Sequence, residues 1–377
     1  MLGTTRREWL ALAGLAVLAS ACGRSGQHTP VPSGTPVARV PLTAIRMQGV
    51  LAGWGQSGAG IYRTADGGAG WSDASPPARP VAGGVVTAFA DAQTAWVAEA
   101  ATSGITLFST TDGGAHWAGT AIAASSHLVP RFLQFLADRR HGWLWSAGAG
   151  TAQTEPGTLF ATADGGGTWS AIASAGGGGR VPAGILKSGL CFRDATHGWI
   201  SGTDPLQRGS PGLYASADGG ATWAAQALPL PAPDRTLLVG TAAPVFFGSS
   251  GVLPVSVYRA SIPTLLVFVS ADGGATWAPA LPVSSPYAAL TPAFADALHW
   301  FASDGVGLFV STSAGQQWDS FLSNPPKVLA GLVQMDFISP SAGWALCPAA
   351  PGGKPGAASA TRLLRTVDGA KSWHAVG

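Results

Sequence analysis

Short apolar runs and Asp/Gly turns alternate along this chain in an order that repeats. Between residues 132 and 173 the alternation predicts four strands: roughly Phe132–Leu136, Trp143–Ala147, Thr158–Thr162 and Thr168–Ala173. Each is short and rich in β-formers, and Asp and Gly crowd into the breaks between them, where tight turns need a local acceptor and positive φ.

The unit recurs in register. The phrase Thr64-Ala65-Asp66-Gly67-Gly68-Ala69-Gly70-Trp71 returns at Asp112–Trp117, Asp164–Trp169, Asp218–Trp223, Asp272–Trp277 and Asp368–Trp373. A seventh copy keeps Gly315 and Trp318 but carries Ser313 in the Asp place. Successive tryptophans lie 46, 52, 54, 54, 41 and 55 residues apart. A second phrase, Phe-x-Asp, a turn and an aromatic, precedes most copies: Phe89-Asp91-Trp96, Phe135-Asp138-Trp143, Phe192-Asp194-Trp199 and Phe294-Asp296-Trp300. Phe337-Ser339-Trp344 is a weaker member, Gly53-Trp54 supplies the first unit, and unit five lacks the Trp. Only Trp9 and Trp145 fall outside both phrases.

Four strands in a repeat of this size make one blade of a β-propeller. Seven copies predict an all-β, seven-bladed β-propeller of four-stranded antiparallel blades over residues 42–377. The Asp-Gly-Gly-x-x-Trp phrase resembles the Asp-box (BNR) repeat. Its aspartates, Asp66, Asp112, Asp164, Asp218, Asp272 and Asp368, are expected to be structural. Each carboxylate can accept from backbone N–H groups of its own turn, the glycines supply positive φ, and the Trp packs at the blade edge. Unit six, without its Asp, is expected to be the weakest blade.

Composition narrows the functions. Charged residues make up 11% of the chain, net charge is +2, and Gly and Pro number 53 and 28. So weak a charge excludes nucleic acid held by bulk electrostatics, and the turn formers exclude a helical bundle. The start of the chain predicts a targeting segment. Thr5-Arg6-Arg7-Glu8-Trp9-Leu10 resembles a twin-arginine export signal, and Leu10–Leu18 is apolar but too short to span a bilayer. Ala19-Ser20-Ala21-Cys22 reads either as a lipobox with Cys22 acylated or as an ordinary A-x-A site cut at the same bond. The expected organisation is residues 1–21 export signal, 22–41 flexible Pro/Ser/Gly tether, and 42–377 propeller. The chain is expected on the outer face of the cytoplasmic membrane or beyond it, as a monomeric lipoprotein.

Catalytic candidates are few. Beyond the leader, Glu99 and Glu155 are the only glutamates. Of the aspartates outside repeated turns, Asp73, Asp204, Asp234, Asp304, Asp319 and Asp336 could supply a glycosidase pair, which needs two facing carboxylates. His141, His197 and His299 recur at one turn position and are not spaced as zinc ligands, so no metal and no cofactor are expected. Cys191 and Cys347 are expected to be buried free thiols.

In an A-B-C-D meander the A–B and C–D turns share one end of the blade. The B–C loops and D–A connections, which vary in length, emerge at the other, where binding residues usually sit. They and their shoulders carry Arg131, Arg180, Arg208, Arg235 and Arg259 as candidate binding residues, with Lys187, Lys327 and Lys354 nearby. The combined phrase Phe-x-Asp…Gly-Trp…Thr-x-Asp-Gly-Gly-x-x-Trp resembles repeats of the photosystem II stability/assembly factor family. That resemblance implies an exported seven-bladed propeller that binds a membrane-protein client without catalysis. Two functions stand: a lipid-anchored scaffold for a protein partner, and a secreted glycoside hydrolase of sialidase or glucanase type.

Overall fold

A computed structural model describes residues 36–37, 40–58, 60–77, 84–125, 127–175, 181–325, 327–349 and 361–376. The export signal, Cys22, nearly all of the tether, Arg180 and Lys354 lie outside the described residues.

The protein is a seven-bladed β-propeller with antiparallel blades in sequence order. Blade three consists of Val129–Phe135, Gly142–Ala147, Gly157–Thr162 and Ser170–Ala175, paired in that order. The strands expected from the sequence agree to within a few residues. Blade one gains a fifth strand, because Pro36–Val37 pairs with the outer strand Trp71–Asp73. In blade five the first strand is broken into Gly240–Thr241 and Val245–Phe247, both paired with Ser250–Arg259. There Gly251 faces Ser270 as Gly198 faces Ser216 in blade four, so Val252 stands where other blades carry Trp.

His127–Pro282, holding blades three to five, forms one compact unit; blades one, two, six and seven form the other. Within each unit the core lies between neighbouring blades. Trp143, Leu159, Phe192 and Ile200 pack together between blades three and four, and Trp199, Val255, Leu266 and Phe268 between four and five. In the other unit, Phe301 and Leu364 pack between blades six and seven, and Trp344, Leu346 and Ile45 between seven and one.

The repeated aromatics explain this packing. Phe192 stacks on Trp143 of the preceding blade, with centroids 3.8 Å apart and planes 3° from parallel, and meets its own blade's Trp223 edge-on at 6.0 Å. Phe337 sits in the same way between Phe301 and Trp373, and Phe246 lies tilted between Trp199 and Trp277. Such pairs add about 0.5–1.5 kcal/mol each beyond the area they bury. A second device joins first strands of adjacent blades. The Gln134 amide donates to Phe192 O and accepts from Phe192 N, and Gln334 does the same for Ile45. Blade seven also grips blade one through Asp336, which pairs with Arg46 at 2.9 Å and accepts from Met47 N at 2.6 Å.

Candidate functional site

Each blade has a turn end and a loop end, and the two differ in chemistry. At the turn end the Asp-box is a closed local network. In blade three Asp164 accepts from Thr162 Oγ1 at 2.7 Å, Thr168 N at 2.9 Å and Thr168 Oγ1 at 2.7 Å, while Thr162 Oγ1 accepts from Gly166 N. Gly165 and Gly166 hold φ of +80° and +96°, where a Cβ would be strained. Asp66, Asp112, Asp218, Asp272 and Asp368 are bonded in the same pattern.

These bonds favour the charged carboxylate. Donation from His116 N holds Asp112 down to about 2, and the Thr276 hydroxyl and N–H do the same for Asp272. For Asp218 burial acts the other way, yet the Thr222 bonds overcome it and the group also sits at about 2. Asp164 lies lower still, chiefly through the Thr168 hydroxyl. The Phe-x-Asp turn is equally self-contained. His141, His197 and His299 each set Nδ1 against the aspartate three residues earlier, at 2.5–3.0 Å. Among the described residues no three His, Cys, Asp or Glu side chains gather where they could hold a metal ion. Cys191 and Cys347 are buried free thiols, both pushed up to about 12 by burial.

At the loop end the charged groups meet across the sequence. Arg259 is held bidentately by Asp234, Nε at 2.7 Å and Nη2 at 2.6 Å, and Asp234 is fully buried. Expected as a binding residue, Arg259 thus serves first to fix its hairpin to the connector 226–239. Arg235, on the same short 3₁₀ turn Ala232–Thr236, donates from Nε to Leu230 O and is exposed. Arg208 is exposed on the loop that Gly209 N ties to Leu237 O at 2.6 Å. Arg208, Arg235 and Arg259 therefore lie on three segments that are bonded to one another.

Arg131 is exposed in blade three, its guanidinium 6.0 Å from the Phe132 ring, and belongs to a different cluster. Beside it Lys187 is buried, with Nζ donating to Glu155 O at 3.0 Å and lying 4.8 Å from the Trp145 centroid. The Glu155 carboxylate accepts from Trp145 Nε1 and from Lys187 N. Burial holds the Lys187 ammonium down to about 8, against the pull of Glu155 and with some help from Arg131. Sequence reasoning missed this group as a group. Its signal was present, since Trp145 is the one propeller tryptophan outside the repeat and Glu155 one of two glutamates there.

The carboxylates considered for hydrolysis are largely engaged. Asp336 and Asp234 hold arginines; Asp204 accepts from Leu206 N and Gln207 N; Asp304 accepts from Ser285 Oγ, Val306 N and Gly307 N; Asp73 accepts from Ser75 N. Glu99 is buried with Oε2 unbonded, and desolvation raises its pKa.

No family profile and no curated protein sequence matches the chain. Solved structures do. A YCF48 protein bound to a D1 peptide aligns over 93% of this chain and 98% of its own at TM-score 0.55 and 16% identity. YCF48 from Cyanidioschyzon merolae aligns over 84% and 94% at TM-score 0.52 and 16% identity. A PL25 ulvan lyase, bound to a glucuronate–sulphated rhamnose unit, aligns over 90% and 97% at TM-score 0.51 and 10% identity. At these identities the likeness is one of fold. The resemblance to the photosystem II assembly factors seen in the repeats has its structural counterpart in the YCF48 propellers.

Proposed function

We propose that this protein is an exported, lipid-anchored scaffold without catalytic activity, which holds a protein partner at the loop end of its blades. The observation that carries the reading is the contrast in side-chain use. Turn-end carboxylates are satisfied within their own turns, whereas Arg131, on the first strand of blade three, and Arg208 and Arg235, on loops tied by hydrogen bonds, are exposed. Exposed arginines on a rigid frame suit a partner bearing carboxylates, because each can donate in a fixed fork. The YCF48 propeller that holds a D1 peptide gives a precedent for peptide binding on this fold. Cys22, at the end of the lipobox-like Ala19-Ser20-Ala21-Cys22, would be the acylated residue of the mature chain.

A second reading, a polysaccharide-active enzyme, draws on the ulvan lyase neighbour. One experiment separates the two. Full-length protein and an Arg131→Glu/Arg208→Glu/Arg235→Glu variant are expressed in the native host, cross-linked at the membrane and purified. The variant is expected to lose captured partner by on the order of tenfold, with capture by the wild type weakened by salt. Equal capture by both chains would overturn the arginine assignment. Cleavage of sialosides, β-glucans or uronate-containing polysaccharides by the purified wild type would overturn the scaffold.

A further inference from the structure

The hairpin joining the second and third strands of blade five stands apart from its counterparts. Its strands, Ser250–Arg259 and Ile262–Ser270, run 10 and 9 residues and are the longest among the described residues. Arg259 faces Ile262 across a two-residue turn whose central residues, Ala260 and Ser261, both hold positive φ, +48° and +70°. Two consecutive non-glycine residues in the left-handed region are strained, and strain of this kind gathers at functional loops. In blade two the corresponding turn is Thr102-Ser103, and in blade six Asp304-Gly305-Val306. On blade five large apolar groups flank the turn instead: Tyr258 and Ile262 are each 41% exposed. Leu206, on the loop after the second strand of blade four, is 66% exposed.

The tip is rigidly mounted. Below it Val255, Val257 and Leu266 pack on Leu228, Leu230 and Leu237, and Arg259 closes on Asp234. The Leu206–Gly209 turn is tied to the same connector by the bond from Gly209 N to Leu237 O. Charge is sorted by depth. Asp234 and Asp204 are buried and occupied, by Arg259 and by the N–H groups of Leu206 and Gln207, while Arg208 and Arg235 face outward. The outer surface of this platform is thus apolar and cationic, without an exposed acid to balance it.

We propose that the platform rests on an anionic lipid bilayer, with Tyr258, Ile262 and Leu206 in the interfacial layer and Arg208 and Arg235 at the headgroup phosphates. An aromatic ring and aliphatic side chains beside arginines match that boundary, where amphipathic groups partition and cations gain from anionic lipid. The shape favours a bilayer over a peptide. Tyr258 and Pro263 share one face of the hairpin and Ile262 and Arg259 the other, so the tip is a wedge, not a groove. A wedge gains by entering a fluid layer, whereas peptide recognition needs a groove or an open strand edge.

The test is co-sedimentation of the full chain with vesicles of phosphatidylcholine alone and of phosphatidylcholine with phosphatidylglycerol. Any contribution of the leader is common to all variants, so the differences report the platform. Leu206→Ser/Tyr258→Ser/Ile262→Ser is expected to weaken binding to anionic vesicles by on the order of tenfold. Arg208→Gln/Arg235→Gln, which leaves the hairpin intact, is expected to remove most of the preference for phosphatidylglycerol. Serine-substituted protein that sediments like wild type, or wild type that ignores phosphatidylglycerol, overturns the proposal. So does loss of partner capture by the serine variant with vesicle binding unchanged, which assigns the tip to a protein. Arg208 and Arg235 also stand in the partner reading, so partner capture by the Leu206→Ser/Tyr258→Ser/Ile262→Ser variant, which keeps both arginines, tells a failure of that reading from a failure of this one.

Discussion

Asp164 at a turn end is satisfied by residues no more than four positions away, whereas Asp234 at a loop end is satisfied by Arg259, 25 positions away. The first arrangement carries all its partners with it, so it can be copied from blade to blade with only its register kept. The second exists once, because it depends on a particular connector meeting a particular hairpin. The difference teaches where to look for function in a repeat protein. Residues that return with the repeat hold the frame, and residues that break it are the ones shaped by a task.

The sharpest way to break the turn end is to remove an aromatic that two blades share. Phe192 is 1% exposed and lies between Trp143 and Trp223. Phe192→Ala is expected to destabilise by about 3–5 kcal/mol, through lost transfer energy and the cavity left between two indoles. Removing a side chain of similar class at the loop end, Leu206→Ala, is expected to stay within about 0.5 kcal/mol, because the group is already in water. Urea unfolding of both variants checks the pair. A Phe192→Ala chain as stable as Leu206→Ala would remove the stacked aromatics from the account of the frame.

A smaller effect is expected at the Asp-box itself. Asp164→Ala leaves Thr168 N and the two hydroxyls without their acceptor and is expected to cost about 1–3 kcal/mol, with loop-end binding retained. The loss should depend on pH in a definite direction. The folded-state pKa of Asp164 lies below the ordinary 3.8, so its contribution is full above about pH 4 and fades as pH falls toward the folded value. The same sign applies to Asp112, Asp218 and Asp272, each held to about 2. The gap in Tm between wild type and Asp164→Ala should therefore narrow as pH falls from 4 to 2. A gap that stays constant over that range would show that the carboxylate charge is not what the turn uses.

The comparison also explains what could be read from the sequence. The strands of blade three and the role of each box follow from residues within a few positions of one another, so a linear pattern contains them. Val252 in the Trp place of blade five became visible only through its pairing with Val269 and Val245. Asp336 looked uncommitted in the sequence, yet it closes blade seven on Arg46, 290 positions away. Asp234 and Glu155 were equally open, because their partners, Arg259, Trp145 and Lys187, sit on strands distant in sequence. At the candidate site the residue types were legible, but not the depth of each. Arg259 reads like Arg208 in the sequence, and only the fold separates a clamp from an exposed donor.

The smallest expected effect comes from restoring the repeat where it has decayed. In blade six Ser313 Oγ accepts from Gln317 N at 3.1 Å, the place where Asp164 Oδ1 accepts from Thr168 N. Ser311 Oγ takes Ser313 N and Gly315 N, as Thr162 takes Asp164 N and Gly166 N, so the turn already has the box geometry and lacks only the carboxylate. Ser313→Asp supplies a charged oxygen for both Gln317 N and the Ser311 hydroxyl, as Asp164 Oδ1 accepts from Thr168 N and Thr162 Oγ1. Charged acceptors of this kind make the stronger hydrogen bonds, and returning a position to its repeat consensus commonly adds about 0.5–2 kcal/mol. The gain should stay toward the low end of that range. Ala314 remains at φ +53°, where the other boxes place glycine, and its strain is untouched. The new carboxylate should titrate like its relatives, so the rise in Tm should be full above pH 4 and shrink as pH falls toward 2. A rise that does not shrink between pH 4 and pH 2 would trace to something other than the carboxylate. No rise at neutral pH would mean that the two serine hydroxyls already hold the turn of blade six as well as a carboxylate would, and that the missing Asp does not make it the weakest blade.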